Sequence, residues 1–376
     1  MNQTEIKMMT PTTRVLIVLM AAGVLVMFYR LIFGLGAATH LNDIWPWGFW
    51  IAFDVLGGVA MAAGGFIIAG AVYILNWKKY KPIVRPAILN AFFGYMLAAL
   101  AISLDIGHPF RIWHPVVMWQ VNSIMFIVAI HVVLYTTTLA TESSPMFFEK
   151  LKMTRAMNFV NKIMVPIVLF GVLLSTLHQS SLGAVYLIVP SKLSPLWYSS
   201  RLPYMFLVSS VLMGLSMVSF ETILSARAFR HKLPMDILSG LAKGSLIVAV
   251  LYFAMKLWDL VTIAGVQKAF DGSVAGNMYL VEMVIGVILP LVLLSKKSMR
   301  NRSNSIFAIN MLVIAGTLVN RMNVAIFGLT DYTARTGADY FPSLMEFLLT
   351  MGMVAFAVFG FKVSAKYLNL FPEEQH

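Results

Sequence analysis

Apolar residues gather into ten long runs, at about 15–33, 47–75, 84–104, 116–140, 157–177, 203–225, 241–265, 278–295, 305–329 and 343–365. A helix needs roughly 20 mostly apolar residues to cross the hydrocarbon core, and these runs have or approach that length. The pattern predicts an all-α membrane protein with about ten transmembrane helices. Spans two to five and six to nine start on the same side. That predicts two similarly oriented four-helix bundles, about 47–177 and 203–329, with peripheral helices beside them. The fifth run is the least tidy, with Lys162 near one end and His178 at the other. The longest stretch outside the spans is about 25 residues, around Gln179–Pro203, too short for a soluble domain. The polar start, Met1–Arg14, enters the first run without a convincing small-residue cleavage site, so it reads as an uncleaved first span.

Composition agrees with the pattern. Hydrophobic residues make up 59% of the 376 and charged residues only 12%, about half the charge of an average soluble domain. The connections alternate in sign. One side carries Lys7 and Arg14, then Lys78, Lys79, Lys81 and Arg85, then Lys150, Lys152 and Arg155. The same side carries Arg227, Arg230 and Lys232, then Lys296, Lys297, Arg300 and Arg302, and finally Lys362 and Lys366. The opposite connections hold only Arg30, Arg111, Lys192, Arg201, Lys268 and Arg335. The positive-inside rule therefore predicts a multi-pass protein of a bacterial-type inner membrane with both termini cytoplasmic. The net charge of +12 reads as this topology signal and not as a nucleic-acid footprint.

The chain has no cysteine. That excludes disulfides, a thiolate nucleophile, Cys-ligated iron–sulfur clusters and covalently attached c-type haem. The outer connections are rich in aromatics and proline, including Trp45-Pro46-Trp47, Trp113-His114-Pro115 and Pro195-Leu196-Trp197-Tyr198. They read as an interfacial aromatic belt, as a docking floor for an extracytoplasmic partner, or as both.

Polar side chains at bilayer depth cost about 2.5 to 3.5 kcal/mol on insertion scales, so those present need a reason. Asp54 lies about two turns below the outer surface by helical rise. Asp105 closes the third span; Gln120, Asn122 and Ser123 open the fourth; His178 to Ser181 end the fifth. Lys256, Asp259, Glu282, Arg321 and Asn323 extend this outward bias, while Arg85, Tyr95, His131 and Glu221 lie deeper or toward the cytoplasm. Bland readings stand beside these. Lys162, Lys256 and Glu346 are near enough to span ends to snorkel. Arg85 reads as a positive-inside anchor, His131 as a satisfied interhelical hydrogen-bonder, and Gly57, Gly58, Gly64 and Gly65 as sites of close helix packing.

A bis-histidine b-type haem needs two imidazoles at matched depth. His178 sits at the outer end of its span and His131 roughly 20 Å below the outer surface by rise. His40, His108 and His114 belong to outer loops, and His231 and His376 to the cytoplasmic side. No matched pair emerges, and no intrinsic haem is expected. Polar groups near the outer face then suit a quinone site, a proton- or ion-coupled transporter, or a structural anchor whose polar groups serve packing. The outward bias favours the quinone.

Several motifs are more specific than hydropathy. They are Arg30-Leu31-Ile32-Phe33-Gly34-Leu35-Gly36, Trp45-Pro46-Trp47-Gly48-Phe49-Trp50-Ile51-Ala52-Phe53-Asp54, Tyr80-Lys81-Pro82-Ile83-Val84-Arg85-Pro86-Ala87 and Phe93-Gly94-Tyr95. To these add Asn122-Ser123, His178-Gln179-Ser180-Ser181-Leu182-Gly183, Pro195-Leu196-Trp197 and Phe220-Glu221. Together they resemble the NrfD/PsrC-like family, and within it the HybB-type membrane subunits of hydrogenase and related respiratory complexes. The resemblance implies a haem-free, cluster-free subunit holding menaquinone or ubiquinone near the outer face. It implies a periplasmic ferredoxin-like iron–sulfur partner, with a hydrogenase or multihaem cytochrome beyond it. By the same resemblance His178 and Asp54 contact or protonate the quinone, with Asn122 and Ser181 beside them. Tyr95, Arg85 and Glu221 step inward as a proton path. HybB-type chains can carry a glutamate after the Asn-Ser motif; here the run is Ile124-Met125-Phe126-Ile127, with His131 one turn on. Either His131 substitutes as the proton carrier or that relay is absent.

Overall fold

The computed structural model describes residues 6–230 and 232–371; His231 and His376 lie outside the described residues. It is helical throughout, and no strand occurs among the described residues. Among the described residues, ten helices are long and apolar enough to span a membrane. They are α1 (Pro11–Phe33), α2 (Trp50–Ile74), α3 (Lys78–Asp105), α4 (Ile124–Lys150) and α5 (Met164–Ile188), then α6 (Leu202–Phe229), α7 (Met235–Ala264), α8 (Val274–Ser295), α9 (Ser303–Thr336) and α10 (Leu344–Tyr367).

The expected ten spans are present, but two of them are displaced. The fourth starts at Ile124 and not near 116, because His114–Val117 forms a separate single turn of helix with Pro115 in it, and the turn through Gln120–Ser123 breaks the chain before Ser123 caps the span. The fifth runs on to Ile188, carrying His178 and Gln179 inside it. The connection after it is residues 189–201, shorter than the sequence suggests.

Helices α2 to α5 close a ring, with α3 against α2, α4 against α3, α5 against α4, and α5 back against the end of α2. Helices α6 to α9 close a second ring in the same order. The two rings meet where α6 packs on α2 and α5, and where α9 packs on α2. Helices α1 and α10 pair beside the first ring, with Gly23 and Gly352 in backbone contact. Small residues also set the approach of α2: Gly64 meets Gly214 of α6 and Gly65 meets Ala91 of α3.

One end of the molecule is basic and the other aromatic. At the basic end Lys362 of α10 reaches Thr13 of α1 (2.6 Å), and Arg85 pairs with Glu149 (2.8 Å). At the aromatic end Trp45 donates to Ala338 O (3.1 Å) and Trp197 is buried, while Phe110, Trp113 and Trp119 stay exposed. Helix α2 is π-helical over Trp50–Gly57 and Gly70–Ile74, as is α8 over Glu282–Ile288. Such wide turns recur at functional positions in helices.

Candidate functional site

Helix α4 repeats polar residues at His131, Tyr135, Thr138 and Glu142, a spacing of four, three and four that keeps them on one face. Ser175 and His178 of α5 and Tyr95 of α3 complete a group inside the first ring. Tyr95, Tyr135, Ser175 and His178 are all 0% exposed. The Tyr95 ring centroid lies 4.5 Å from that of Tyr135 and 5.5 Å from that of His178. His131 and His178 stand 6.1 Å apart with ring planes at 89°.

The depth argument against a histidine pair is therefore corrected. His131 lies seven residues into α4 from its aromatic end, about 10 Å by helical rise rather than 20. His178 lies ten residues before the end of α5, about 15 Å in. The two bring their rings to one level because both spans are displaced from where hydropathy put them.

Among the described residues, both His178 nitrogens, His131 Nδ1 and Glu142 Oε2 find no hydrogen-bond partner, and the Tyr95 and Tyr135 hydroxyls have only Ser175 to turn to. The satisfied hydrogen-bonder expected at His131 is thus not what α4 carries. An unpaired buried polar group costs about 1–3 kcal/mol, so native proteins keep few of them. Their concentration in one seam makes it the candidate site. Among the described residues no three His, Asp or Glu are placed to hold a metal ion.

The other sequence-selected residues divide. Ser181 donates to His178 O (2.9 Å), and Gln179 Nε2 donates to Val59 O (2.9 Å), tying α5 to α2. Asp54 sits in the first π-helical stretch of α2 and accepts from Thr350 of α10 (2.6 Å). It lies five residues nearer the aromatic end than Val59, so Asp54 and His178 belong to adjacent groups and not to one. Asn122 is exposed in the connection before α4 and does not join the cluster. Arg85 is committed to Glu149 and to Asn369 O (2.7 Å) at the basic end. Glu221 of α6 turns to Asn90 of α3.

The snorkelling expected of Lys256 and Glu346 is overturned. Lys256 is 3% exposed and pairs at 2.7 Å with Glu282, itself 1% exposed. Trp197, Asn320 and Asn323 also donate to Glu282, at 2.9, 2.9 and 2.8 Å. Arg321 joins through Asn320 (2.7 Å) and stacks on the Phe206 ring at 3.9 Å. Four donors leave this carboxylate little freedom, so the network braces the second ring. Glu346 forms a capping box with Ser343 and accepts from Tyr340. Burial, with the Glu346 carboxylate beside it, pushes the Tyr340 pKa above the ordinary phenol value.

A polytopic helical protein with a buried His–Tyr seam is of the class of integral membrane proteins that carry an intramembrane polar site. Comparison with known proteins makes this specific. The NrfD polysulphide reductase family model matches residues 36–331, and the chain belongs to that family. It is 38% identical over 93% of its length to a Nitratidesulfovibrio vulgaris protein, 92% of which is covered, whose name states no activity. It is 33% identical to the probable Ni/Fe-hydrogenase 2 b-type cytochrome subunit of Escherichia coli, covering 91% of this chain and 88% of that one. It is 28% identical to the menaquinone reductase integral membrane subunit of Nitratidesulfovibrio vulgaris, covering 91% and 87%. The chain is a multi-pass membrane protein of a family that supplies subunits to respiratory oxidoreductase complexes.

Proposed function

We propose that the chain is a quinone-binding membrane subunit of a respiratory oxidoreductase, exchanging electrons with an extracytoplasmic iron–sulfur partner. The observation that carries the reading is the set of unpartnered polar atoms around His178 inside an otherwise apolar ring of helices. A quinone head group needs hydrogen-bond donors at its carbonyl oxygens and a group that exchanges protons there. His178, Tyr95 and Tyr135 offer those donors from three helices, and His131 stands next to the imidazole. Asp54, with Ser181 and Asn122 nearer the aromatic end, belongs to the approach from that side. The relative named for menaquinone reduction favours menaquinone over ubiquinone.

Bound quinone supplies a two-electron, two-proton couple. The chain's own residues hold the head group, exclude water and deliver protons. With the basic end in the cytoplasm, as the charge bias directs, the aromatic connections face the partner. Exposed Phe110, Trp113 and Trp119 give that face its apolar character. His131, Tyr95, Arg85 and Glu221 are among the proton-carrying groups in this reading.

The subunit is read as haem-free although a relative is named as a b-type cytochrome. Tyr95 and Tyr135, in ring contact with each other, fill space beside the imidazoles that a macrocycle would need. The transporter and anchor readings lose ground to the unpartnered seam and to the relatives' respiratory complexes.

The test is quinone content. Lipid extracts of the purified complex should contain near-stoichiometric quinone for the wild type and much less for His178→Ala. Equal quinone in both, with unchanged quinol-linked turnover, would remove His178 from the site.

A further inference from the structure

Building on the quinone reading, we propose that Glu142 is the protonatable relay linking the His178 seam to the basic end, and that Gly171 is the cradle that leaves its carboxyl free.

Glu142 continues the polar face of α4 that begins at His131. It is 5% exposed and lies eight residues from the helix end at Lys150, about 12 Å inside by rise. A carboxyl buried for structural reasons would have a cation or several donors around it. Glu282 in the second ring shows what that looks like. Glu142 shows the opposite: its Oε2 has no partner among the described residues, and Arg85 at the basic end is engaged by Glu149.

The space around the carboxyl is made by an absent side chain. A Cβ at Gly171 of α5 would lie 2.6 Å from Glu142 Oε1, 3.2 Å from the Thr138 methyl and 3.5 Å from Tyr135 Cε2. The carboxyl and the Tyr135 ring therefore close over the same glycine. Thr138 between them spends its own O–H on Leu134 O (2.8 Å). It is free only as an acceptor, so the hand-over falls to Glu142 and Tyr135.

Both ends of the lane are built. Toward the aromatic end come the hydroxyls of Tyr135 and Ser175, which interact with each other, and then His178, whose ring nitrogens have no partner among the described residues. Toward the basic end comes Tyr73, on the second π-helical stretch of α2, within electrostatic range of both Glu142 and Arg85. Beyond it the Arg85–Glu149 pair and Asn369 form the surface. The groups facing Glu142 are Tyr135 on α4, Gly171 on α5, and Tyr73 on α2.

In the direction of quinone reduction, the Glu142 carboxylate takes one proton from the basic end. The resulting acid gives its proton up the Tyr135–Ser175–His178 lane, and the carboxylate is restored. Two such passages match the two electrons entering from the iron–sulfur partner. Quinol oxidation runs the same steps backward. Because electrons and protons then arrive from opposite ends, turnover in this geometry moves charge across the membrane.

The test uses the whole complex in proteoliposomes, with wild type, Glu142→Gln, Glu142→Asp and Gly171→Ala. Glu142→Gln should keep its bound quinone and lose turnover by about tenfold or more, a modest value for a lost proton carrier. It should also lose a protonated-carboxyl band from infrared redox difference spectra. Glu142→Asp should recover part of the rate and the band, and Gly171→Ala should slow turnover with quinone retained. Wild-type turnover in Glu142→Gln would overturn the relay, as would loss of quinone together with turnover, which marks a structural role. Absence of quinone from the wild-type complex is a different result: it removes the quinone reading itself, and the relay with it.

Discussion

His131 and His178 face each other across the seam of α4 and α5 with ring centroids 6.1 Å apart. Two imidazoles so placed invite a haem reading, and Tyr95 against His178 argues against it. Reduced-minus-oxidised optical spectra of the purified chain should therefore show no haem bands. A Soret band lost in His131→Ala and in His178→Ala would show that the pair ligates iron.

Breaking the second ring's ion pair should damage the fold and not the chemistry. Lys256→Met leaves Glu282 buried without its cation, a change that costs about 3–5 kcal/mol. Thermal unfolding in detergent should show a large drop, and Lys256→Met with Glu282→Gln together should recover part of it. Turnover per folded molecule should stay near wild type in the double variant.

Helices α8 and α9 touch through backbone at Gly286 and Gly316. A Cβ at Gly316 would lie 1.9 Å from Gly286 Cα, so Gly316→Ala must push the helices apart. Overpacking of that kind costs about 1–3 kcal/mol. The melting temperature should fall, while Gly36→Ala, which meets nothing within 4 Å, should leave it unchanged.

The connection after α7 is tied by Lys268, which donates to Asp271 (2.8 Å) and Asp331 (3.0 Å). Those two bonds raise the Lys268 pKa, and Lys268 with Ser273 holds Asp271 below the usual carboxylate range. A carboxylate with a depressed pKa contributes order above its unfolded value, about 4, and loses it as pH falls through the folded value. A lysine with a raised pKa contributes below about 10.4 and loses that contribution as pH climbs through the folded value. Hydrogen exchange over residues 265–276, taken relative to the intrinsic amide rate at each pH, should be flat through neutral pH and rise in acid and in strong alkali. Added salt should speed it as well, because the pair is at the surface.

The number of spans and the basic and aromatic ends were legible because hydropathy and charge are local properties of the chain. The starts of α4 and α5 were not, since Val116, Val117 and Val121 are as apolar as a span yet sit in a connection. That displacement hid the His131–His178 match. Lys256 and Glu282 were legible as polar residues but not as partners, because partnership depends on which helices meet. Glu142 was missed altogether: read alone in Thr141-Glu142-Ser143-Ser144 it resembles the polar end of a span. Its face on α4, eleven residues from His131, was the available signal.

The central claim is that a quinone head group sits against His178. A photoreactive quinone analogue, cross-linked in the whole complex and mapped by mass spectrometry, tests this most directly. Labelling should fall on peptides containing Tyr95, Tyr135 or His178 and be displaced by excess menaquinone. Labelling confined to the second ring, around Lys256, Glu282 and Arg321, would contradict the account.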